Sequence, residues 1–330
     1  MRKKQTYHFY LQPAYLPTHH NLSYYLIQQN WKSTCLSWRA QFSNQHFQFY
    51  LPATSNLEFK HSLARLVQKY CAHVMPVTYS INDNNWFDIV QELTQKQSDA
   101  VWILKPSLQN NGQNIHVFQT IDLIKSHYLS PNRLGGEHVL QHYLRAPHLL
   151  QGPEKGHKYS IRLFVVLTNY AGVYLYPQGY FNVALTPYEP SDFKDLRSHL
   201  TNEHLKEQVL NVAQIPSQQY AHLFDRLYPT LKEMISSVMQ GLQKEHPEGF
   251  MCKKQRTLAI VGFDFMVDSA MRVWLLEANH GPCFPVNQDH PLQKKLYEGF
   301  WKALIACFVY PIASHQAVEQ IQTPSFEKVL

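Results

Sequence analysis

Residues 258–282 constrain the fold most, because their pattern is typical of two strands joined by a short turn. Successive side chains of a strand point to opposite faces, so Asp264, Met266 and Asp268 share one face of the first strand. Phenylalanine and valine fill its other face. The few polar residues are therefore predicted to lie together on one face of an antiparallel hairpin.

A four-residue turn at 269–272 would set the register of this hairpin. It pairs three sets of residues: Asp268 with Val273, Met266 with Leu275, and Asp264 with Glu277. Asn279 then lies diagonally across from Asp264 on the same face. A slip of one residue would turn every side chain over and disperse this group.

Asp264, Glu277 and Asn279 would place a cluster of oxygen atoms on an otherwise apolar ribbon. Carboxylate and carboxamide oxygens suit Mg²⁺ held against phosphate oxygens. The alternative is an edge hairpin whose acidic side chains face solvent, as most Asp and Glu side chains do. The hairpin pattern leaves both interpretations open.

Residues 100–106 form a predicted buried strand that ends with Lys105 and a proline. A polar loop with the single glycine Gly112 follows, and residues 115–118 form a second strand. Loop amides and an ammonium group can offset the charge of a triphosphate. The loop has no GxxxxGK[ST] sequence, and the alternative is an ordinary hairpin whose lysine reaches water.

The longest predicted strand, 158–169, carries Lys158, Ser160 and Arg162 on one face and apolar residues on the other. Two cations on one face are typical of anion contacts on a sheet. A pair of charges on a solvent-facing strand is equally common.

Elsewhere the spacing predicts strands around a helix in residues 7–50, including an alternation through Phe47 and Phe49. Lys60 or Lys69 could reach a bound anion, but a solvated surface lysine is the favoured prediction for each. Residues 192–213 are predicted to be helix or loop, and the tail from Ala313 to be loosely held. Helices are predicted at 63–70, 88–96, 120–129, 220–245 and 292–310.

Composition narrows the functional classes. The 30 Lys and Arg against 24 Asp and Glu give a net charge of +6, which fits nucleotide phosphates or an acidic peptide. Because no basic stripe or recognition motif accompanies it, nucleic acid is not expected as a partner. No signal peptide or apolar run long enough for a membrane is visible, and five cysteines lie without a CxxC pair. A cytoplasmic protein without membrane contact is expected.

Five motifs in one order give the chain a family resemblance. They are WILKPS with NGQNI (102–115), VLQHYL (139–144), KYSIRLFVVLT (158–168), HLTN (199–202) and GFDFMVD with VWLLEAN (262–279). Together they resemble the tubulin tyrosine ligase-like family, a branch of the ATP-grasp ligases, over residues 60–279.

This resemblance implies an α+β, ATP-grasp fold in which ATP lies between two antiparallel sheets. It divides the chain into a small N-terminal α/β domain (1–56), a central domain (57–144) and a C-terminal domain with the hairpin (145–330). The implied activity joins an amino acid to a protein or peptide acceptor through an acyl phosphate. ATP and Mg²⁺ are the implied cofactors.

The resemblance also implies residue roles. Lys105 would bind the α- and β-phosphates, and the loop around Gly112 would close over the β- and γ-phosphates. The implied nucleotide contacts are Gln141, Tyr143, Leu144, Lys158 and Asn202. Arg162 would face the reacting phosphate, and the implied metal ligands are Asp264, Glu277 and Asn279, with Glu277 also counted as catalytic.

Several positions depart from the family pattern. Ser160 replaces an acid, and Pro177 and Asn182 replace arginines of the following strand. Asn111 and Asn114 replace more basic or glycine positions of the loop. Two alternatives therefore stay open beside a protein ligase: a small-molecule ligase, and a catalytically silent nucleotide-binding module.

Overall fold

The computed structural model describes residues 6–96, 100–109, 112–206 and 209–330. Within these ranges, helices alternate with four sheets of three, four, six and two strands. The α+β class with antiparallel main sheets that was predicted from the sequence is confirmed. The proposed division of the chain at residues 56 and 144 stays a prediction.

The N-terminal region contains a small parallel sheet in the order β2-β1-β3. Its elements are β1 (His8–Tyr10), α1 (Pro17–Gln28), β2 (Lys32–Ser33) and β3 (Phe42–Ser43). The strand predicted through Phe47 and Phe49 is wrong, because Asn44–Phe47 forms a single 3-10 turn. The Ser43 N–H donates to Nδ1 of His46 at 2.9 Å, which starts that turn.

The central sheet has four antiparallel strands in the order β4-β7-β5-β6. Helices α2 (Leu51–Glu58) and α3 (Lys60–Tyr70) precede its elements, which are β4 (Thr78–Ile81), α4 (Trp86–Gln95), β5 (Trp102–Pro106), β6 (His116–Phe118), α5 (Ile121–Leu129) and β7 (His138–His142). Trp102 and Leu104 belong to the core that this sheet forms with α4 and α5. Since side chains alternate, Lys105 points to the opposite face.

The largest sheet has the antiparallel order β12-β9-β8-β13-β14, and β15 pairs with β9. Its strands are β8 (Tyr159–Thr168), β9 (Gly172–Ala184), β12 (Val212–Pro216), β13 (Leu258–Val267), β14 (Val273–His280) and β15 (Glu327–Lys328). A two-stranded ribbon, β10 (His204–Lys206) with β11 (Val209–Leu210), precedes β12. The prediction of helix or loop for 192–213 is therefore wrong where these three strands lie.

The two faces of this sheet are covered differently. Ile161 and Phe263 lie in a core shared with α2, α3 and α6 (Ala221–Glu245). Phe164, on the other face, belongs to a second core that includes the C-terminal helical segment. Lys158 and Arg162 share that second face but line a cavity, so the face is half packed and half open. This change along one strand creates a polar floor beside an apolar core.

The hairpin of β13 and β14 has a register that changes once. Val267 pairs with Val273 and Phe265 with Leu275, so the predicted pairs Asp268–Val273 and Met266–Leu275 are wrong by one residue. The turn has five residues, because Oδ1 of Asp268 accepts the N–H groups of Ala270 and Arg272 at 2.9 Å each. A bulge at Leu276 restores the predicted pair of Asp264 with Glu277.

The C-terminal region begins with a helical segment predicted at 292–310. It comprises α7 (Glu298–Leu304) and α8 (Tyr310–Ala313) with wider helical turns at Gln293–Tyr297 and Ile305–Val309. The tail that follows is not loosely held, since Phe326 is buried against Tyr176 and Phe308 and β15 joins the sheet. Among the described helices, none combines the length and apolarity that crossing a bilayer requires.

Candidate functional site

A cavity of about 630 Å³ lies between the central sheet and the largest sheet. Strands β5 and β7 contribute to one side, and β8, β9, β13 and β14 to the other. The site residues implied by the resemblance all line it: Lys105, Gly112, Gln141, Tyr143, Leu144, Lys158, Arg162, Asn202, Asp264, Glu277 and Asn279. The fold thus brings together residues from five separate stretches of the chain, while their roles stay predictions.

Asp264, Glu277 and Asn279 form a compact group, here called the carboxylate cluster. Nδ2 of Asn279 lies 3.1 Å from Oδ2 of Asp264 and 3.4 Å from Oε1 of Glu277. Both oxygens of Asp264 accept hydrogen bonds from the guanidinium of Arg162, its cross-strand neighbour on β8. The interpretation of these acids as solvent-facing is excluded for Asp264, which is buried.

Burial and nearby charges shift the pKa values of the two acids of the carboxylate cluster in opposite directions. Burial raises the pKa of Asp264 to about 6, with Glu277 adding to the rise and Arg162 opposing it. Burial by itself would raise the pKa of Glu277, but the charges of Lys60 and Lys105 lower it to about 2. Nearby positive charges therefore favour the ionised form of Glu277, whereas burial opposes ionisation of Asp264.

Lys60 is a functional candidate that the sequence analysis considered as an anion contact and then set aside as a surface lysine. Its Nζ lies 3.6 Å from Oε2 of Glu277 and donates to the carbonyl of Gln109 at 3.0 Å. Its side chain is only 12% exposed, so the prediction of a solvated surface lysine is wrong here. The same prediction is confirmed for Lys69, which is exposed beside Glu245.

Lys105 and Lys158, here called the lysine pair, are buried at the cavity. Nζ of Lys105 donates to Oε1 of Gln141 at 2.8 Å, and Nζ of Lys158 donates to the hydroxyl of Tyr143 at 3.0 Å. Burial lowers the pKa of Lys105 to about 8 and that of Lys158 to about 7. The interpretation that these lysines reach into water is therefore wrong.

The loop after β5 meets the segment after β9 at one edge of the cavity. Gly112 has a φ of +70°, and a Cβ there would lie 2.8 Å from Cδ2 of Leu205 and 3.5 Å from Oδ1 of Asn202. Glycine is therefore the residue that suits both the backbone conformation and the close approach. Asn111, singled out from the sequence, lies outside the described residues.

The positions that depart from the family pattern create an uncharged strip. Ser160 pairs with Asn182 across β8 and β9, and Nε2 of Gln214 donates to Oδ1 of Asn182 at 3.2 Å. All three line the cavity beside Arg162. Pro177 falls where the pairing of β8 and β9 shifts register, so its effect on this strip is indirect.

Tyr180 is a second residue that sequence reasoning missed. It pairs with Arg162 across β8 and β9, is buried, and lines the cavity. Its alternation with Asn182 on β9 was the available signal, because both then share a face with Arg162.

The comparison with protein families identifies the class of the chain. The sequence model of the tubulin-tyrosine ligase family matches residues 39–317. The chain belongs to this family, as its motif order predicted.

Individual relatives match smaller parts of this chain than the family model does. A probable tubulin–tyrosine ligase, PBY1, of Saccharomyces cerevisiae is 25% identical over 301 residues, covering 75% of this chain and 38% of the yeast protein. The human tubulin polyglutamylase TTLL6 is 25% identical over 240 residues, covering 65% of this chain and 25% of its own. Tubulin glycylase 3C of Tetrahymena thermophila is 21% identical over 255 residues, covering 70% of this chain and 22% of the glycylase. The chain thus spans between about a fifth and two fifths of the length of these relatives.

Proposed function

We propose that the chain is an ATP-dependent ligase that joins an amino acid to a protein or peptide acceptor through an acyl phosphate. The observation that carries this proposal is one cavity in which the carboxylate cluster, Arg162 and the lysine pair face the same space. The names of its relatives, which include a probable tubulin–tyrosine ligase, a polyglutamylase and a glycylase, support an amino acid as one substrate. The net charge of +6 supports an acidic acceptor.

The residues present fit a magnesium ion bound with a nucleotide. No three His, Cys, Asp or Glu side chains converge on one point within the described residues, so an ion would rely on two carboxylates and the amide of Asn279. A half-turn of that amide directs its oxygen, instead of Nδ2, to the carboxylates. Three protein oxygens suit Mg²⁺, which fills its remaining positions with water and phosphate. Such an ion would draw negative charge from the phosphate oxygens.

The proposed reaction has two steps with balanced atoms. A carboxylate oxygen of one substrate attacks the γ-phosphorus of ATP, and ADP leaves with the bonding electrons. The amine of the second substrate then attacks the acyl carbon, inorganic phosphate leaves, and the nitrogen gives up a proton. Arg162 would stabilise charge at the transferred phosphoryl group, and Lys105 would hold the phosphates of the nucleotide. The loop at Gly112 would exclude water that could hydrolyse the acyl phosphate.

The test combines labelled amino acids with candidate acceptors and reads the product mass. Glu277→Gln should lower Mg²⁺-dependent ATP turnover by at least about a hundredfold, because the cluster loses a charged oxygen ligand. Glu298→Gln, which changes an exposed pair with Lys302, is the matched control and should keep full turnover. Unchanged turnover in Glu277→Gln would show that the proposed metal ligands are wrong.

A small-molecule ligase is the second candidate, and the uncharged strip of Ser160, Asn182 and Gln214 favours it. The strip has neutral groups where the family pattern has an acid and an arginine. The two ligases differ in where labelled amino acid is found: in macromolecule for the first, and in soluble product for the second. A silent nucleotide-binding module would bind ATP and transfer no label.

A further inference from the structure

A chain of three hydrogen bonds runs from Lys158 into the protein. Nζ of Lys158 donates to the hydroxyl of Tyr143 at 3.0 Å. That hydroxyl lies 2.7 Å from Nδ1 of His199, and Nε2 of His199 lies 2.8 Å from the carbonyl oxygen of Asp192. Lys158, Tyr143 and His199 are all buried.

The carbonyl oxygen of Asp192, at the end of this series of hydrogen bonds, determines which atom donates and which accepts in each of them. A carbonyl oxygen only accepts, so Nε2 of His199 carries the hydrogen and Nδ1 is the bare, accepting nitrogen. The hydroxyl of Tyr143 must then donate to Nδ1, which leaves its lone pairs for the ammonium of Lys158. The ring of His199 is stacked on Phe193 at 4.8 Å between centroids, which holds its plane. Burial lowers the pKa of His199, which favours the neutral ring that this direction requires.

A second series of hydrogen bonds, with donors and acceptors in the same order, starts at Lys105. Its Nζ donates to Oε1 of Gln141 at 2.8 Å, and Nε2 of Gln141 donates to the hydroxyl of Thr78 at 2.9 Å. The hydroxyl of Thr78 donates in turn to the carbonyl of Pro76 at 2.7 Å. Each lysine is therefore held by a neutral acceptor that is itself oriented by a backbone carbonyl.

The neutrality of these acceptors has a physical consequence. A carboxylate in either place would neutralise the lysine, as Asp264 does for Arg162. A neutral oxygen satisfies one N–H of an ammonium and leaves its charge and other donors for a ligand. A buried cation held this way destabilises the ligand-free protein, so a fold keeps it where a bound anion compensates for the cost.

We propose that His199 and Thr78 are positioning residues, which hold the lysine pair through neutral relays so that its full positive charge is available to the phosphates of a bound nucleotide. This inference rests on the proposed nucleotide binding. His199 and Thr78 act through Tyr143 and Gln141, so neither is a catalytic residue.

One experiment changes the acceptor of the first relay. His199→Phe keeps a ring that stacks on Phe193 but lacks the accepting nitrogen, and His199→Gln offers an amide oxygen to Tyr143. By calorimetry with Mg-ATP, we expect affinity to fall about tenfold in His199→Phe and to stay within about threefold of the wild type in His199→Gln. Equal loss in both variants would indicate a structural role and overturn the inference.

A second experiment changes the charge of the other relay. Gln141→Glu keeps the shape of the side chain and its contact with Lys105 but makes the acceptor anionic. We expect this variant to melt at the same or a higher temperature without ligand, and to bind Mg-ATP at least about tenfold more weakly. A structural role would lower both together, and unchanged affinity would overturn the inference. This variant also carries the test if His199→Phe does not fold.

The lysines themselves provide a readout that does not need a nucleotide. Lys158 is faced by Tyr143, Tyr188, His199 and Lys105, of which Lys105 adds to the lowering of its pKa. Lys105 is faced by Gln141 and by three charged groups, Glu277, Lys60 and Asp264. In proteins with ¹³C-methylated lysines, we expect two amines to titrate at a pH well below that of the other lysines. The lower of these two pKa values, which belongs to Lys158, should change in His199→Phe.

The two proposals fail differently. A wild type that binds no Mg-ATP but shows the two low lysine pKa values, with the expected change in His199→Phe, would refute nucleotide binding and retain the relays. A wild type that binds Mg-ATP, with equal binding by His199→Phe and Gln141→Glu, would refute the relays alone.

Discussion

The carboxylate cluster and the lysine pair face one cavity, yet they hold their charges in opposite ways. In the first region Arg162 is bonded to Asp264, and Lys60 approaches Glu277, so each charge has a counter-charge. In the second, Lys105 and Lys158 donate to neutral oxygens. The charges of the first region are therefore compensated within the protein, whereas those of the second would, under the proposed function, be compensated by a bound anion. Stability and ligand binding should respond differently to substitutions in the two regions.

The largest effect is expected from breaking the ion pair of the first region. Arg162→Leu leaves the buried Asp264 without its partner and should lower the free energy of unfolding by about 3–5 kcal/mol. Denaturation by urea measures this change. The double variant Arg162→Leu with Asp264→Leu should recover most of the stability but no ATP turnover. If the single variant were as stable as the wild type, the two regions would not differ as described.

The opposite sign is expected in the second region. Lys158→Met removes a buried ammonium that has no counter-charge beside it among the described residues, so the free energy of unfolding should rise by about 1 kcal/mol or more. The same variant should bind Mg-ATP at least about tenfold more weakly, measured by calorimetry. Lys69→Met, at an exposed lysine, is the control and should change neither. A destabilised Lys158→Met protein would contradict the comparison.

A smaller effect is expected from pH, which should change the stability and the Mg-ATP affinity of the protein through Lys158. The pKa of Lys158 is about 7 in the folded protein against an ordinary value of 10.5, so its burial cost is present in full below pH 7. As pH rises from about 7 to 10.5, that cost is relieved and ligand-free stability from this group increases. Affinity for Mg-ATP should instead fall about fivefold between pH 7 and 8, because the neutral amine attracts phosphate less. Binding at pH 8 should then take up protons, which calorimetry in buffers of different ionisation enthalpy detects.

The smallest effect is expected where the two sides of the cavity meet. Gly112→Ala adds a Cβ 2.8 Å from Cδ2 of Leu205 and should lower ATP turnover about threefold, since the loop closes less well. Gly136→Ala is a matched control, because Gly136 also has a positive φ, +91°, but a Cβ there would have no atom of the described part of the chain within 4 Å. Equal turnover in the two variants would show that contact with Leu205 does not limit turnover at Gly112.

Much of the candidate site could be predicted because strand alternation operates over a few residues. The pleat placed Lys158 and Arg162 on one face, and the motif order joined them to Asp264 and Lys105. The register near the turn was not predictable this way, because the side chain of Asp268 closes a five-residue turn through its own hydrogen bonds. Such a contact has no periodic signal.

The remaining errors share a cause, which is contact between residues distant in sequence. Lys60 lies on a helix whose pattern predicts only which face is apolar, and its approach to Glu277 depends on how α3 packs against β14. Phe326 is buried because Tyr176 and Phe308 surround it, although its own surroundings in the sequence are polar. In both cases, local sequence determines the element and tertiary packing determines its environment.

The extra residue at Leu276 divides the hairpin into two parts that are under different structural constraints. Upstream of it, the turn can change length; downstream, Glu277 and Asn279 must keep their face. Deleting Leu276 would place Glu277 directly after Leu275, still opposite Asp264, so Ala278 and Asn279 would keep their faces. Inserting one residue between Glu277 and Asn279 would instead turn Asn279 toward the core. Natural variation in this hairpin is therefore expected to tolerate altered turns while preserving the two-residue spacing of Glu277 and Asn279.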